Sequence, residues 1–411
     1  MFAAGRLFAA GRRDPTVVME AIDALFELTR ALAATKPESE NFFFSPASMQ
    51  AALCAAVHAA TPRSEAEKHL LLAFGRSAAT TDDAYAATRA SGMIPSTTPA
   101  LTVANALFEI LRGESDFSEV RPEFAALLQS RMGAQVLPAR RAAEINAWCA
   151  EQTQNLIEKL LEDGDVGEDT LMVLVNAVLF RGTWRFPFKM EDSREDTWDE
   201  GSPSCARAMF MHKRFTKYDE RLYAGIVGER AGALARAVCV PYVEGGIQAW
   251  FILPEERGPA ALARVGDALP QLWREITQLR VRGEREVHLT CPRFDVDTGV
   301  MDVIPALQAL GITAPFHASA ASPRLLAATA RRDAYISKVA QRVVCKVDEK
   351  GTVAAACSGV VASLACCRID DVKPAPFVVD LVRPFWMLIT RETEESMRVH
   401  VPLFIGRITK P

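Results

Sequence analysis

The sequence predicts an α+β fold built as one large domain. Apolar residues recur at helical spacing through the early chain, and continuous or hairpin-like apolar runs take over from Leu171. No Pro/Gly/Ser-rich linker and no internal repeat divides the two regions. A length of 411 residues would by itself suggest two or three domains. The missing linker favours one domain over residues 15–411, with residues 1–14 as an extension.

The first helix is expected at Asp14-Pro15, a capping residue followed by proline at the first helical position. Val18, Ile22, Leu25, Phe26 and Leu32 follow on one face. Further helical patterns cover Met49–Val57, Ser64–Phe74, Pro122–Met132 and Ala142–Leu161, the last closed by Glu162-Asp163-Gly164. Leu171–Phe180 is an unbroken apolar run that fits a fully buried central strand. Asn176 lies inside it, and a buried amide is costly unless hydrogen-bonded, so polar partners are expected. Ala237–Val243 and Ile247–Pro254 flank Glu244-Gly245-Gly246 as a hairpin. Strands are also expected at Val287–Cys291, Ile336–Val347, Trp386–Thr390 and Val399–Ile408.

Composition narrows the function. With 49% hydrophobic and 24% charged residues the chain is globular rather than disordered. The net charge is −4 with both signs interspersed, which leaves no footprint for nucleic acid. Nine cysteines form no CxxC pair and sit mostly in apolar runs, so reduced, buried thiols are expected. No Asn-x-Ser/Thr acceptor occurs. Arg6, Arg12 and Arg13 interrupt any signal-peptide core, so residues 1–14 read as an untargeted extension or a transit peptide. No window reaches the roughly 18 apolar residues of a membrane span. These features favour a cytoplasmic or nucleocytoplasmic protein with no membrane partner. Secretion without a classical signal peptide stays open.

There is no Walker loop, GxSxG elbow or HExxH helix, and the six histidines are scattered. His288, in a strand pattern, reads as a structural histidine. Neither a catalytic constellation nor a metal or cofactor site is expected. The chain reads as a binding or inhibitory protein, not an enzyme.

Three separated segments carry a family resemblance. They are Asn41-Phe42-Phe43-Phe44-Ser45-Pro46-Ala47-Ser48, Val175-Asn176-Ala177-Val178-Leu179-Phe180-Arg181-Gly182-Thr183-Trp184, and Val347-Asp348-Glu349-Lys350-Gly351-Thr352-Val353-Ala354-Ala355-Ala356. Between and after them, in order, come Val240-Pro241-Tyr242, Pro292-Arg293-Phe294, Ile336-Ser337-Lys338-Val339, Arg383-Pro384-Phe385 and Pro402-Leu403-Phe404-Ile405-Gly406-Arg407. From about Pro15 to Pro411 the chain resembles the serpins, an intracellular ovalbumin-like or viral type. The resemblance implies three β-sheets, about nine helices and an exposed reactive-centre loop, here about 349–373. It also implies a monomer that acts as a suicide substrate. A serine protease cuts the loop and becomes an acyl-enzyme, and the loop then inserts into the main sheet.

By the same resemblance Ser45, Ser48 and Asn176 belong to the shutter that opens this sheet, and Trp184 to the breach at its top. The plainer reading of Ser45-Pro46 is a helix cap. The family usually has His where this chain has Gln341. An amide still donates and accepts, but it does not titrate.

The hinge, by resemblance, comprises Glu349, Gly351, Thr352, Ala354, Ala355, Ala356 and Ser358. Its physics suits insertion. Alternate residues of a strand share one face. The set Thr352, Ala354, Ala356, Ser358, Val360, Ala362 and Leu364 is small or apolar and uncharged, so no unpaired charge would be buried. Val353 replaces the family's usual Glu at an outward position. Counted by the family's spacing from Gly351, the scissile bond is Ala365–Cys366, which fits an elastase-like protease. The stretch from there to Pro384 is longer than usual, so Leu364, Arg368 and Asp370 stay as alternatives for chymotrypsin-like, trypsin-like and caspase- or granzyme-like enzymes. Cysteine proteases are a second target class. The competing reading is a non-inhibitory serpin that binds or chaperones other molecules.

Overall fold

The computed structural model describes residues 15–90, 100–111, 120–167, 170–203, 205–216, 222–279, 286–317, 325, 327–329, 333–352, 375–392 and 399–411. Among these are eight α-helices and nineteen strands, numbered here along the chain.

Helices cluster early, as expected. α1 (Pro15–Ala33) buries Ile22, Leu25, Phe26 and Leu32. α2 (Pro46–Ala59) is apolar nearly all round and buried along almost its whole length, as a helix through the core must be. α3 (Glu65–Leu71) starts at Ser64, whose hydroxyl accepts from the Glu67 amide. α4 (Thr81–Ala90) and α5 (Pro122–Met132) complete this layer. Gly133, left-handed at φ 63°, ends α5. α6 (Ala142–Gln152) stops well short of the expected Leu161. Gln154 and Asn155 turn to positive φ, 54° and 62°, which an α-helix does not accommodate. α7 (Pro259–Ile276) and α8 (Ile304–Ala309) lie among the later strands.

Two sheets are simple. The first has six antiparallel strands in the order β1 (Phe42–Phe44), β19 (His400–Ile408), β18 (Phe385–Glu392), β10 (Ile247–Pro254), β9 (Ala235–Pro241) and β8 (Tyr223–Val227). The expected hairpin is β9–β10, turning through Gly246 at φ 79°. The second sheet runs β17 (Phe377–Asp380), β11 (Val287–Pro292), β7 (Ala206–Phe215) and β6 (Arg194–Trp198).

The main sheet departs from expectation. Its lower part is β13 (Met301–Asp302), β14 (Ile336–Arg342), β4 (Met172–Phe180), β2 (Leu101–Ile110) and β3 (Gln135–Ala139). Its upper part is a separate hydrogen-bonded sheet of β12 (Phe294–Asp297), β15 (Val344–Val347), β16 (Gly351–Thr352) and β5 (Gly182–Thr183). Only Arg181 separates β4 from β5, and only Val343 separates β14 from β15. The described residues therefore show four sheets where three were expected, because β16 wedges the top of the main sheet apart.

As expected, β4 is a central, fully buried strand. One face carries Asn176 towards α2. The other carries Val173 and Val175 into a cluster with Ala142, Ile145 and Cys149 of α6. The described cysteines are all free, and only Cys205 is exposed. Burial pushes the Cys54 and Cys149 thiols up to about 12, so they stay protonated and inert.

Candidate functional site

Two linked centres lie on the main sheet. The upper one holds Glu349, Gly351 and Thr352, the described part of the segment that the resemblance marks as the hinge. Gly351 and Thr352 already form a strand between β15 and β5, with Thr352 opposite Val347 on one side and Gly182 on the other. A tight turn precedes them. The Asp348 carboxylate accepts from the Lys350 and Gly351 amides at 2.8 and 3.1 Å. A Cβ on Gly351 would sit 1.9 Å from the Gly182 carbonyl oxygen, so only glycine permits this approach.

Trp184 frames the turn from below. Its indole donates to the Asp348 carbonyl at 2.9 Å, and its amide to the Lys350 carbonyl at 2.8 Å. Its ring stacks on Tyr242 with centroids 4.4 Å apart. The Tyr242 hydroxyl lies 2.6 Å from the Thr352 hydroxyl, and both are buried. Burial pushes the Tyr242 phenol well above its ordinary range, so it stays neutral.

Glu349 is buried beside this strand, its side chain 4% exposed against 36% for its partner Arg293. Arg293 Nε donates to both carboxylate oxygens at 2.8 and 2.9 Å, and Nη2 donates to Oε1 at 2.5 Å. The Ser193 hydroxyl donates to the same Oε1 at 2.5 Å. Burial works to raise the Glu349 pKa, but the bonds from Arg293 and Ser193 outweigh it and hold it below the ordinary value.

The lower centre joins Ser45, Ser48, Asn176 and Gln341, all fully buried. β4 and β14 run parallel and in contact here, with Asn176 opposite Gln341. The Asn176 amide donates to Ser48 Oγ at 2.5 Å and to Asn105 Oδ1 at 2.6 Å. Gln341 Oε1 accepts from the Ser45 amide at 2.9 Å, and Nε2 donates to the Ser45 carbonyl at 3.2 Å and to Asn176 Oδ1. The Ser45 hydroxyl caps nothing; it donates to the Leu403 carbonyl on β19 at 2.8 Å. One polar knot thus ties α2, β2, β4, β14 and β19 together.

A family model described as serpin, serine protease inhibitor, matches residues 21–411. The chain belongs to the serpin family. Relatives of this serpin include Serpin B6 of Macaca fascicularis, 28% identical over 96% of this chain and 100% of that protein. Another is the leukocyte elastase inhibitor of Bos taurus, 28% identical over 76% of this chain and 78% of that one. Among solved structures, Serpin48 of Tenebrio molitor superposes with a TM-score of 0.76 at 21% identity, covering 98% of this chain and 100% of that one. That likeness supports the fold alone.

Of the residues singled out by sequence, this serpin brings Ser45, Ser48, Asn176 and Gln341 into one cluster, and Trp184, Glu349, Gly351 and Thr352 into the other. Ala354, Ala355, Ala356, Ser358, Leu364, Ala365, Cys366, Arg368 and Asp370 lie outside the described residues. Sequence reading missed Asn105, Tyr242, Arg293 and Ser193 as partners. Tyr242 and Arg293 sat in quoted family segments, and the buried Asn176 called for a polar partner such as Asn105. Ser193 gave no signal. Among the described residues no His/Cys/Asp/Glu group could hold a metal ion, and no helix is long and apolar enough to cross a membrane.

Proposed function

We propose that this serpin inhibits serine proteases as a suicide substrate. The protease serine attacks the Ala365 carbonyl, the amine of Cys366 leaves, and Ala365 stays esterified to the enzyme. The freed strand then enters the seam between β4 and β14 and carries the protease with it before deacylation. A cysteine protease would follow the same path through a thioester.

The observation that carries this reading is the register of β16. Stepping onward from Thr352 opposite Gly182 would bring Ser358 opposite Asn176. Stepping from Thr352 opposite Val347 on the other side would bring Ser358 opposite Gln341. Asn176 and Gln341 are already each other's partners, so both edges support one continuous register for the inserted strand. Thr352 is buried against Tyr242, so Ala354, Ala356 and Ser358 would face the core on the same side. Ser358 would then meet the polar knot with a hydroxyl that donates and accepts.

The energetics agree. Insertion replaces one parallel seam by two antiparallel ones. At about 1 kcal/mol net per backbone hydrogen bond, a strand of this length gains on the order of 10 kcal/mol. The polar knot and the closed seam oppose that gain until the loop is cut and its end set free.

The test is incubation with elastase, chymotrypsin, trypsin, a caspase and a cathepsin. An SDS-resistant complex with one of them is expected, with a released peptide starting at Cys366. A peptide starting after Leu364, Arg368 or Asp370 would reassign the bond. Plain cleavage by every enzyme, without a complex, would contradict inhibition.

A further inference from the structure

We propose that Met190 is an oxidation site that loosens the hinge clamp, an inference that rests on the reading of Glu349 to Thr352 as a hinge. Among the described methionines Met190 alone is exposed, at 63%; the others are buried or half-buried. It opens the 3-10 turn Met190–Asp192, which leads directly to Ser193. Its sulfur lies 3.7 Å from Arg293 Nη2. That same nitrogen donates to Glu349 Oε1 at 2.5 Å. Ser193, which also donates to Glu349, sits three residues along the same turn. Met190 therefore touches the cation of the clamp and shares a segment with its hydroxyl.

A thioether is a weak acceptor, so it pulls only weakly on the Nη2 hydrogen that Glu349 does not use. A hydroperoxide oxidant changes that. The sulfur gives up two electrons, the O–O bond breaks, an S–O bond forms and water (or an alcohol) leaves. The sulfoxide is polar, and its oxygen is a far stronger acceptor placed next to Nη2. It takes the second Nη2 hydrogen more strongly, shifts the guanidinium away from Glu349 Oε1 and pulls on the turn that leads to Ser193. The buried carboxylate keeps the Nε contacts but loses part of its compensation, and the strand it anchors opens more often. Glu349 precedes Gly351 by two residues and its carbonyl holds the Phe188 amide, so the effect falls on β16 itself. Exposure makes Met190 the first described methionine to react, and reduction of the sulfoxide restores the clamp.

Hydrogen exchange of the full chain reads this without a protease. Limited hydrogen peroxide should oxidise Met190, read by mass spectrometry of its tryptic peptide. Amide exchange in peptides carrying Gly351 and Thr352 should then speed up about tenfold, the factor that loss of one charge-assisted hydrogen bond implies. Unoxidised Met190→Gln, with an amide oxygen in the sulfoxide's place, should show the same fast exchange. Met190→Leu should be slow before and after peroxide. Unchanged exchange in oxidised wild type, or an equal peroxide response in Met190→Leu, would overturn the proposal. Loss of complex formation with all proteases would instead count against inhibition and leave the exchange result standing.

Discussion

Gln341 closes the seam between β4 and β14 with an amide where the serpin family usually has an imidazole. Its carbonyl takes the Ser45 amide, and its nitrogen serves Ser45 and Asn176 together. No titration is needed to hold this knot, so its strength should not vary across neutral pH. Gln341→Leu leaves the buried Ser45 amide and Asn176 Oδ1 without these partners, each worth about 1–3 kcal/mol, while the Ser45 carbonyl keeps the Met49 amide. A loss of about 3 kcal/mol is expected, read as a lower urea midpoint for unfolding.

Glu349 behaves in the opposite way, because its bonds depend on charge. Its folded pKa lies below the ordinary 4.5. The stability it contributes is therefore fully present above 4.5 and is lost as pH falls from there through the depressed value. Thermal unfolding from pH 7 to pH 3 should show a destabilising step below 4.5 that Glu349→Gln lacks. Glu349→Gln should also unfold about 2–3 kcal/mol more easily at pH 7, since removing one charge of a buried pair strands the other, and Arg293 is partly solvated.

Among the elements, α5 and β4 were legible because punctuation and burial agree. Pro122 and Gly133 bracket α5, and an unbroken apolar run marks β4. β2 was not, although it is equally buried. Its Leu101–Ile110 run mixes Asn105 and Glu109 into apolar residues, and periodicity alone does not separate such a run from a helix. α7 carried a clear helical stripe in Leu262, Val265, Leu269, Leu272 and Ile276, but Pro270 interrupts it in the sequence. α6 was overextended because a left-handed Gln154-Asn155 leaves no compositional mark. The short strand β16 was legible only as a flexible glycine. Its pairing with β5 depends on the bare backbone of Gly351, because a Cβ there would meet the Gly182 carbonyl, whereas a Cβ on Gly182 would meet the Phe180 and Tyr242 rings. Gly351→Ala should force β16 out of the sheet, seen as faster amide exchange at Thr352. Unchanged exchange there would show that the close approach to Gly182 does not hold the strand.

For the whole molecule, the sequence motifs located both polar centres, but not the coupling between them. That coupling is geometric: continued six residues beyond Thr352 from either edge, the register of β16 would arrive at the Asn176–Gln341 rung. Insertion should therefore fail when Thr352, already seated at the head of the inserting strand, is replaced by a charged residue. Thr352→Arg would place a guanidinium beside the Tyr242 hydroxyl in a fully buried site, at a cost of several kcal/mol. That variant should be cut as fast as wild type while forming no SDS-resistant complex.

The most direct test of loop insertion is the heat stability of the chain before and after a single cut in residues 353–374. If the cut loop becomes a central strand between β4 and β14, the cleaved protein should unfold at a temperature far above that of the intact one, and Thr352→Arg should abolish the gain. Equal unfolding temperatures for cut and uncut wild type would contradict insertion, and with it the inhibitory mechanism.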